Sequence, residues 1–187
     1  MKLVALSLLI ALVAGTALGG RVSTLSELRI RAAPLAIVGF AMQVVNPPGR
    51  WPLALLFGSF VLLTIFAVVN LRTPGFAVVL IGIVMNFAVI AVNGGMPVDR
   101  DAIVASGQSG TLAGLSEGRG VKHHLAGPDD DLLFLADVIA LPRPVAQVIS
   151  LGDVFTYGGV SVIVAAGMRR RPAIRTAPIA EAGHVEA

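Results

Sequence analysis

Residues 51–92 read WPLALLFGSFVLLTIFAVVNLRTPGFAVVLIGIVMNFAVIAV, and this stretch decides the fold. It contains two apolar runs, Pro52 to Asn70 and Gly75 to Val92, with Arg72 as its only charge. A helix that crosses a bilayer needs about 20 mostly apolar residues at 1.5 Å rise each. Both runs have that length, so each is read as a spanning helix. The composition of the whole chain agrees: 187 residues, 56% hydrophobic, 13% charged, mean hydropathy +0.86. A soluble domain carries about 25% charged residues, and one of this size keeps too much surface to hide so many apolar side chains. The expected fold class is an all-α integral membrane helical bundle.

Outward from these two runs, Leu3 to Gly20 and Ser150 to Met168 are further candidate spans. Ala32 to Asn46 is shorter but apolar on all sides, through Leu35, Ile37, Val38, Phe40, Met42, Val44 and Val45. The reading is five transmembrane helices, at about 3–20, 32–46, 52–70, 75–92 and 150–168, in one membrane domain over residues 1–170. The first run also resembles a secretory signal peptide, since Lys2 precedes the apolar stretch and small residues follow near Ala17. Ser7, Ala11, Gly15 and Gly19 recur every four residues, however, and make a smooth stripe for close helix packing. That pattern favours a retained helix.

The basic residues orient the bundle. Arg21, Arg29, Arg31 and Arg72 lie in the same set of connections as Arg169, Arg170, Arg171 and Arg175, which by the positive-inside rule is cytoplasmic. The other side receives Lys2, Arg50, Arg100, Arg119, Lys122 and Arg143. The expectation is N-terminus outside and C-terminus inside, with 171–187 a disordered cytoplasmic tail. Because the basic residues flank apolar segments, the pI of about 10.2 points to the lipid bilayer as partner and not to nucleic acid. The sequence sets no oligomeric state. The absence of cysteine excludes disulfides, thiolate metal sites and a cysteine nucleophile.

The long external loop, 93–149, carries seven acidic residues against four basic ones, a formal −3. Gly107, Gly110, Gly114, Gly118 and Gly120 suggest a flexible centre. Gly127-Pro128-Asp129-Asp130 reads as a helix start, followed by a short apolar helix from Leu132 to Leu141 that Pro142 and Pro144 stop. About ten residues are too few to span, so an interfacial or re-entrant segment is expected.

Polar residues in or near the spans need partners. Gly75, Gly82, Asn86 and Asn93 fall within about 20° of one line on a helix, and Gly39, Gln43 and Asn46 repeat the pattern in the second span. Such stripes either pack helices closely or line a polar path. Asp153 is either a helix cap in Ser150-Leu151-Gly152-Asp153 or a functional acid. Adjacent His123 and His124 are candidate metal ligands with nearby aspartates, but no recognised ligand spacing occurs. No metal or other cofactor is therefore assigned. No nucleophile elbow, phosphate loop or dinucleotide fingerprint is present.

Four pieces in order resemble an uncharacterised family of small bacterial multi-pass membrane proteins, defined as a domain of unknown function. They are Asn93-Gly94-Gly95-Met96-Pro97, Lys122-His123-His124, Leu135-Ala136-Asp137, and Ser150-Leu151-Gly152-Asp153. The resemblance covers roughly residues 1–170. It implies several membrane helices and a patterned loop, and no activity. It also directs attention to one external pocket made from Asn93, Met96, Pro97, His123, His124, Asp137 and Asp153. The expected function is a non-enzymatic membrane protein whose external loop binds a small ligand or a membrane or envelope protein partner. Two alternatives are a small-solute or ion transporter using the glycine and amide stripes, and a metal-dependent membrane enzyme at the His/Asp cap.

Overall fold

The computed structural model describes residues 2–49, 51–118 and 120–169. The tail 171–187 expected to be disordered, with Arg170, Arg171 and Arg175, lies outside the described residues, as do Arg50 and Arg119.

The chain is mostly helical. Five apolar helices, α1 (Lys2–Ala17), α2 (Ala33–Val44), α3 (Trp51–Val69), α4 (Phe76–Asn93) and α7 (Leu151–Met168), form the body. Among the described residues, only α3, α4 and α7 are both long and apolar enough to cross a membrane. The other two fall short of their expected lengths, at 16 residues for α1 and 12 for α2. The reason for α2 is local. Ala32 stands in the left-handed region with Pro34 in the first turn, and Pro47-Pro48 follows the other end, where the missing N–H groups cannot continue a helix.

The helices pack in a row, α1 on α7, α7 on α4, α4 on α3 and α3 on α2. Each side-chain meeting fixes a direction. Phe57 and Phe60 at the start of α3 meet Phe87 late in α4, while Phe66 meets Phe76, so α3 and α4 are antiparallel. Gln43 Nε2 bonds Ser59 Oγ at 3.0 Å near the α2–α3 turn, and Gly39 faces Leu63. Gly75 abuts Gly159, and Gly82 abuts Gly152, which sets α4 against α7. Ser161 Oγ donates to Ser7 O, and Arg21 N donates to Met168 O, so α1 runs parallel to α7. Direction therefore alternates along the chain from α1 to α4, and reverses again in α7. A 3₁₀ turn at Val22–Glu27 fastens the far end, where Thr24 Oγ1 lies 2.9 Å from both Gly167 O and Met168 O.

The segment between α4 and α7 is a folded cap. Asp99 caps α5 (Arg100–Ser106) by accepting from Ala102 N, and Gly107 ends it. The glycine-bearing centre, expected to be flexible, instead forms α6 (Ser109–Ser116). Strand β1 (Met96–Val98) pairs in parallel with β2 (His123–Leu125). Strands β3 (Ile139–Leu141) and β4 (Gln147–Ile149) form an antiparallel hairpin.

The helix expected over Leu132 to Leu141 is not formed. That segment is one 3₁₀ turn, Leu133–Leu135, leading into extended β3. Its backbone groups are taken elsewhere: Asp137 N donates to Pro97 O and Asp137 O accepts from Asp99 N. Asp130, expected in a first helical turn, uses its carboxylate on Gly127 N and His124 instead. A short polar side chain that satisfies local backbone groups competes with helix.

Candidate functional site

Two cavities meet beneath the cap. The cap chamber, about 660 Å³, lies between α5, α6, β4 and the end of α2. The deep cleft, about 540 Å³, is walled by all five apolar helices. Gln43, Lys122 and His123 line both, so the chambers join at these three residues.

Strand geometry decides which histidine takes part, because successive strand side chains point to opposite faces. His123 turns into the chambers; His124 turns away, with Nε2 2.9 Å from Asp130 Oδ1. Burial alone would raise the Asp130 carboxyl, but the hydrogen bonds from His124 and Gly127 hold it below its ordinary value. His123 Nε2 stands 3.9 Å from Asp137 Oδ2. Its side chain is 53% exposed, but that exposure is to the cavities it lines. Desolvation there lowers its pKa despite the opposing field of Asp153, which leaves the imidazole neutral at pH 7.

Asp137 is only 8% exposed. Its backbone is locked to β1 on both sides, through Pro97 O and Asp99 N. Burial, assisted by the negative field of Asp153, pushes its carboxyl up to about 8, as desolvation of the charged form requires. Lys122 Nζ reaches the carbonyls of Gln43 at 2.6 Å and Val45 at 3.1 Å. It thereby fastens the cap to the last turn of α2, where a cation suits the helix dipole. Lys122 was part of a recognised motif, but this role was not legible, because it depends on a contact 79 residues away.

Asp153 faces the cleft and also closes a capping box. Ser150 Oγ accepts from Asp153 N, and the Asp153 carboxylate accepts from Ser150 N. The same carboxylate takes a 2.8 Å bond from Asn86 Nδ2, while Ser150 Oγ donates to Asn86 Oδ1 at 2.7 Å. Asn86 and Gly82 thus belong to the α4–α7 contact. A methyl group on Gly152 would strike the Asn86 side chain, and one on Gly82 would strike Gly152 O.

The structure therefore brings together His123, Asp137 and Asp153, adds Met96 on the cleft wall, and places Gln43 and Asn46 at the cap chamber. Asn93 is elsewhere. Its side chain grips Asp131 through Asp131 N at 2.8 Å and Asp131 O at 2.9 Å, about 10 Å along α4 from Asn86. Pro97, the middle residue of β1, is fully buried. Gln147, missed in the sequence, lines the cap chamber with a buried Oε1 that has no partner among the described residues. With His123 and His124 on opposite faces, a metal centre using both is not assembled. No three His, Asp or Glu side chains converge as a ligand set among the described residues.

The chain belongs to DUF5317, a family of unknown function, whose sequence profile matches residues 24–165. No curated protein and no solved structure matches it.

Proposed function

We propose that this chain is a small multi-pass protein of a bacterial cell membrane that binds a small ligand, without turnover, where the two chambers meet. Five apolar helices lie in the bilayer, with the cap and N-terminus outside and the end of α7 cytoplasmic. The alternating helix directions support this topology. So does the far end of the bundle, where Arg21, Arg29, Arg31, Arg72 and Arg169 collect, as expected of a cytoplasmic face. Outward side chains such as Leu9, Ile10, Ile37, Val61, Ile65, Ile81, Val84 and Val162 are exposed, an apolar surface too broad for water. The short helices α1 and α2 are accommodated by adjoining residues and local bilayer thinning.

The observation that carries the ligand reading is the junction itself. A charged and hydrogen-bonding end, with His123, Asp137 and Lys122, opens directly onto an apolar cleft. A concave, mostly apolar site with a few convergent polar groups and a perturbed carboxyl is what small-ligand binding requires.

The lack of native cysteine supplies the test. His123→Cys puts one thiol at the junction and Ala105→Cys puts one on the exposed face of α5. A lipid extract or an aqueous metabolite extract of the source cells should slow alkylation at position 123 several-fold and leave position 105 unchanged. Equal rates at both positions, with and without either extract, would overturn the reading.

A further inference from the structure

The row of packed helices is an open arc. α1 stands at one end on α7 and α2 at the other on α3, and no interface of that kind joins α1 to α2. The deep cleft is the hollow of this arc. Phe40 of α2 lines it while remaining 58% exposed on the helix flank, and Ser7 of α1 lines the opposite edge. The cleft is thus reached from the side, at the depth of the bilayer, as well as through the cap. An apolar cavity of about 150 Å³ holds one benzene, so the cleft, at about 540 Å³, holds roughly twenty carbon atoms. That is one hydrocarbon chain and not two.

The cap chamber at its upper end is built differently. Four amide side chains line it: Gln43 and Asn46 at the end of α2, Gln108 before α6, and Gln147 of β4. Each amide can both donate and accept. Gln43, Asn46 and Gln108 each place one N–H bond, on Ser59, Val44 O and Ser106, so each keeps a second hydrogen to donate. Gln147 Oε1 is buried without a donor among the described residues. Thr111 and, in the cleft, Tyr157 add hydroxyls. Asp137 is protonated at pH 7, with its pKa near 8. Its carboxyl stands 3.9 Å from His123 Nε2, beyond hydrogen-bond reach, so its O–H is a further donor.

Charge narrows the choice of occupant. Among the described residues Lys122 is the one cation lining the joined chambers, and its ammonium is held by Gln43 O and Val45 O. Asp153 offsets it, with its two oxygens taken by Asn86 and Ser150 N. Asp137 and His123 are uncharged, so the space as a whole is neutral. An ionic head would lose its hydration there without gaining a counter-charge. Hydroxyl groups suit it better, because each donates and accepts and so matches amides of both kinds on several walls.

We propose that the cleft and cap chamber together hold an uncharged single-chain amphiphile with a polyhydroxyl head of about sugar size. Its chain lies in the cleft against Phe60, Leu63, Phe76, Val79 and Ile163, and its head meets Gln108, Gln147 and Asp137. This rests on the ligand-binding reading above and names the class of ligand. The chamber, at about 660 Å³, is within the usual range for one small ligand. The side opening admits the molecule from the membrane without exposing its chain to water.

The experiment uses the full chain in phosphatidylcholine nanodiscs, with the thermal midpoint as readout. The probes are dodecyl glucoside, dodecanol, methyl glucoside, dodecylammonium and dodecanoate, the chain-bearing ones below their micellar concentrations. The expected result is a saturable rise with dodecyl glucoside at concentrations about tenfold below those any other probe needs. Gln108→Leu and Gln147→Leu should each weaken the glucoside several-fold, the size of one or two neutral hydrogen bonds. The unliganded midpoint of each variant separates a folding defect from a binding defect. Equal responses to glucoside and dodecanol, or a glucoside response unaltered by both substitutions, overturn the polyhydroxyl head and leave ligand binding standing. A stronger response to dodecylammonium or dodecanoate overturns the neutral head. Methyl glucoside acting at the same concentrations as dodecyl glucoside makes a soluble sugar the occupant and overturns the chain. If no probe acts while a cell extract still protects His123→Cys, the amphiphile class fails and the binding site does not. A second copy of the chain filling the cleft, seen as a dimer that dodecyl glucoside does not dissociate, also overturns the proposal.

Discussion

The Asp137 carboxyl lies 3.9 Å from a neutral imidazole, with its backbone clamped to β1 and its pKa near 8. A carboxyl held above its unfolded value, here 3.8, binds more protons in the folded state, so its contribution falls as pH rises from about 4 to about 8. At about 1.4 kcal/mol for each tenfold change in proton affinity, that contribution amounts to several kcal/mol. His123 works in the opposite sense. Its lowered pKa costs stability as pH falls below 6.5, so the two partly cancel in the parent protein. The difference between parent and Asp137→Asn isolates the carboxyl: the variant should gain stability relative to the parent as pH rises from 5 to 8.5. Thermal melts across that range check it, and parallel profiles would refute it. Lys122→Met should cost about 1–2 kcal/mol, the size of a part-exposed charged hydrogen-bond pair. Amide exchange should then quicken at the end of α2 and not in α4. At this scale the sequence carried part of the answer. Asp153 as a cap was readable from Ser150-Leu151-Gly152-Asp153. The division of His123 from His124 was not, since it depends on β2 being a strand paired to β1, and three residues give no periodicity to read.

Between elements, the α4–α7 contact makes the sharpest claim. Gly82, Gly152 and Gly159 allow backbones to touch, and Asn86 bonds across the seam to Ser150 and Asp153. Gly152→Ala should destabilise by about 1–3 kcal/mol, as overpacking of a tight contact does. Gly158→Ala, six residues later on the same helix with open space around it, should be neutral or stabilising by up to about 1 kcal/mol, from helix propensity alone. Denaturation of the two variants side by side tests this, and equal losses would contradict it. The stripe of Gly75, Gly82 and Asn86 was legible because a 3.6-residue period needs only one helix to read. The cap was not. Its strands are three residues long, and the apparent helix start at Gly127-Pro128-Asp129-Asp130 is overridden by bonds to His124, Pro97 and Asp99, which sequence order does not reveal.

For the molecule as a whole, apolar run length located all five helices to within a few residues. It did not show that α1 and α2 are shorter than a full span, because apolar residues at Leu18 and Val45 extend the runs past the helix ends. The side-chain pairings supply what run length cannot, the direction of each helix. They give a bundle whose cap-side end holds α5, α6 and both strand pairs, and whose other end collects arginines around the Val22–Glu27 turn. The central claim is that these two ends lie on opposite sides of a membrane, with the cap outside. It is tested most directly by single cysteines at Ala105, on α5, and Ser26, in the turn after α1, both exposed. Intact cells are treated with a membrane-impermeant thiol reagent. The account predicts labelling of Ala105→Cys at once and of Ser26→Cys only after permeabilisation. Labelling of both in intact cells would contradict the alternating passes, and labelling of Ser26→Cys alone would place the cap in the cytoplasm.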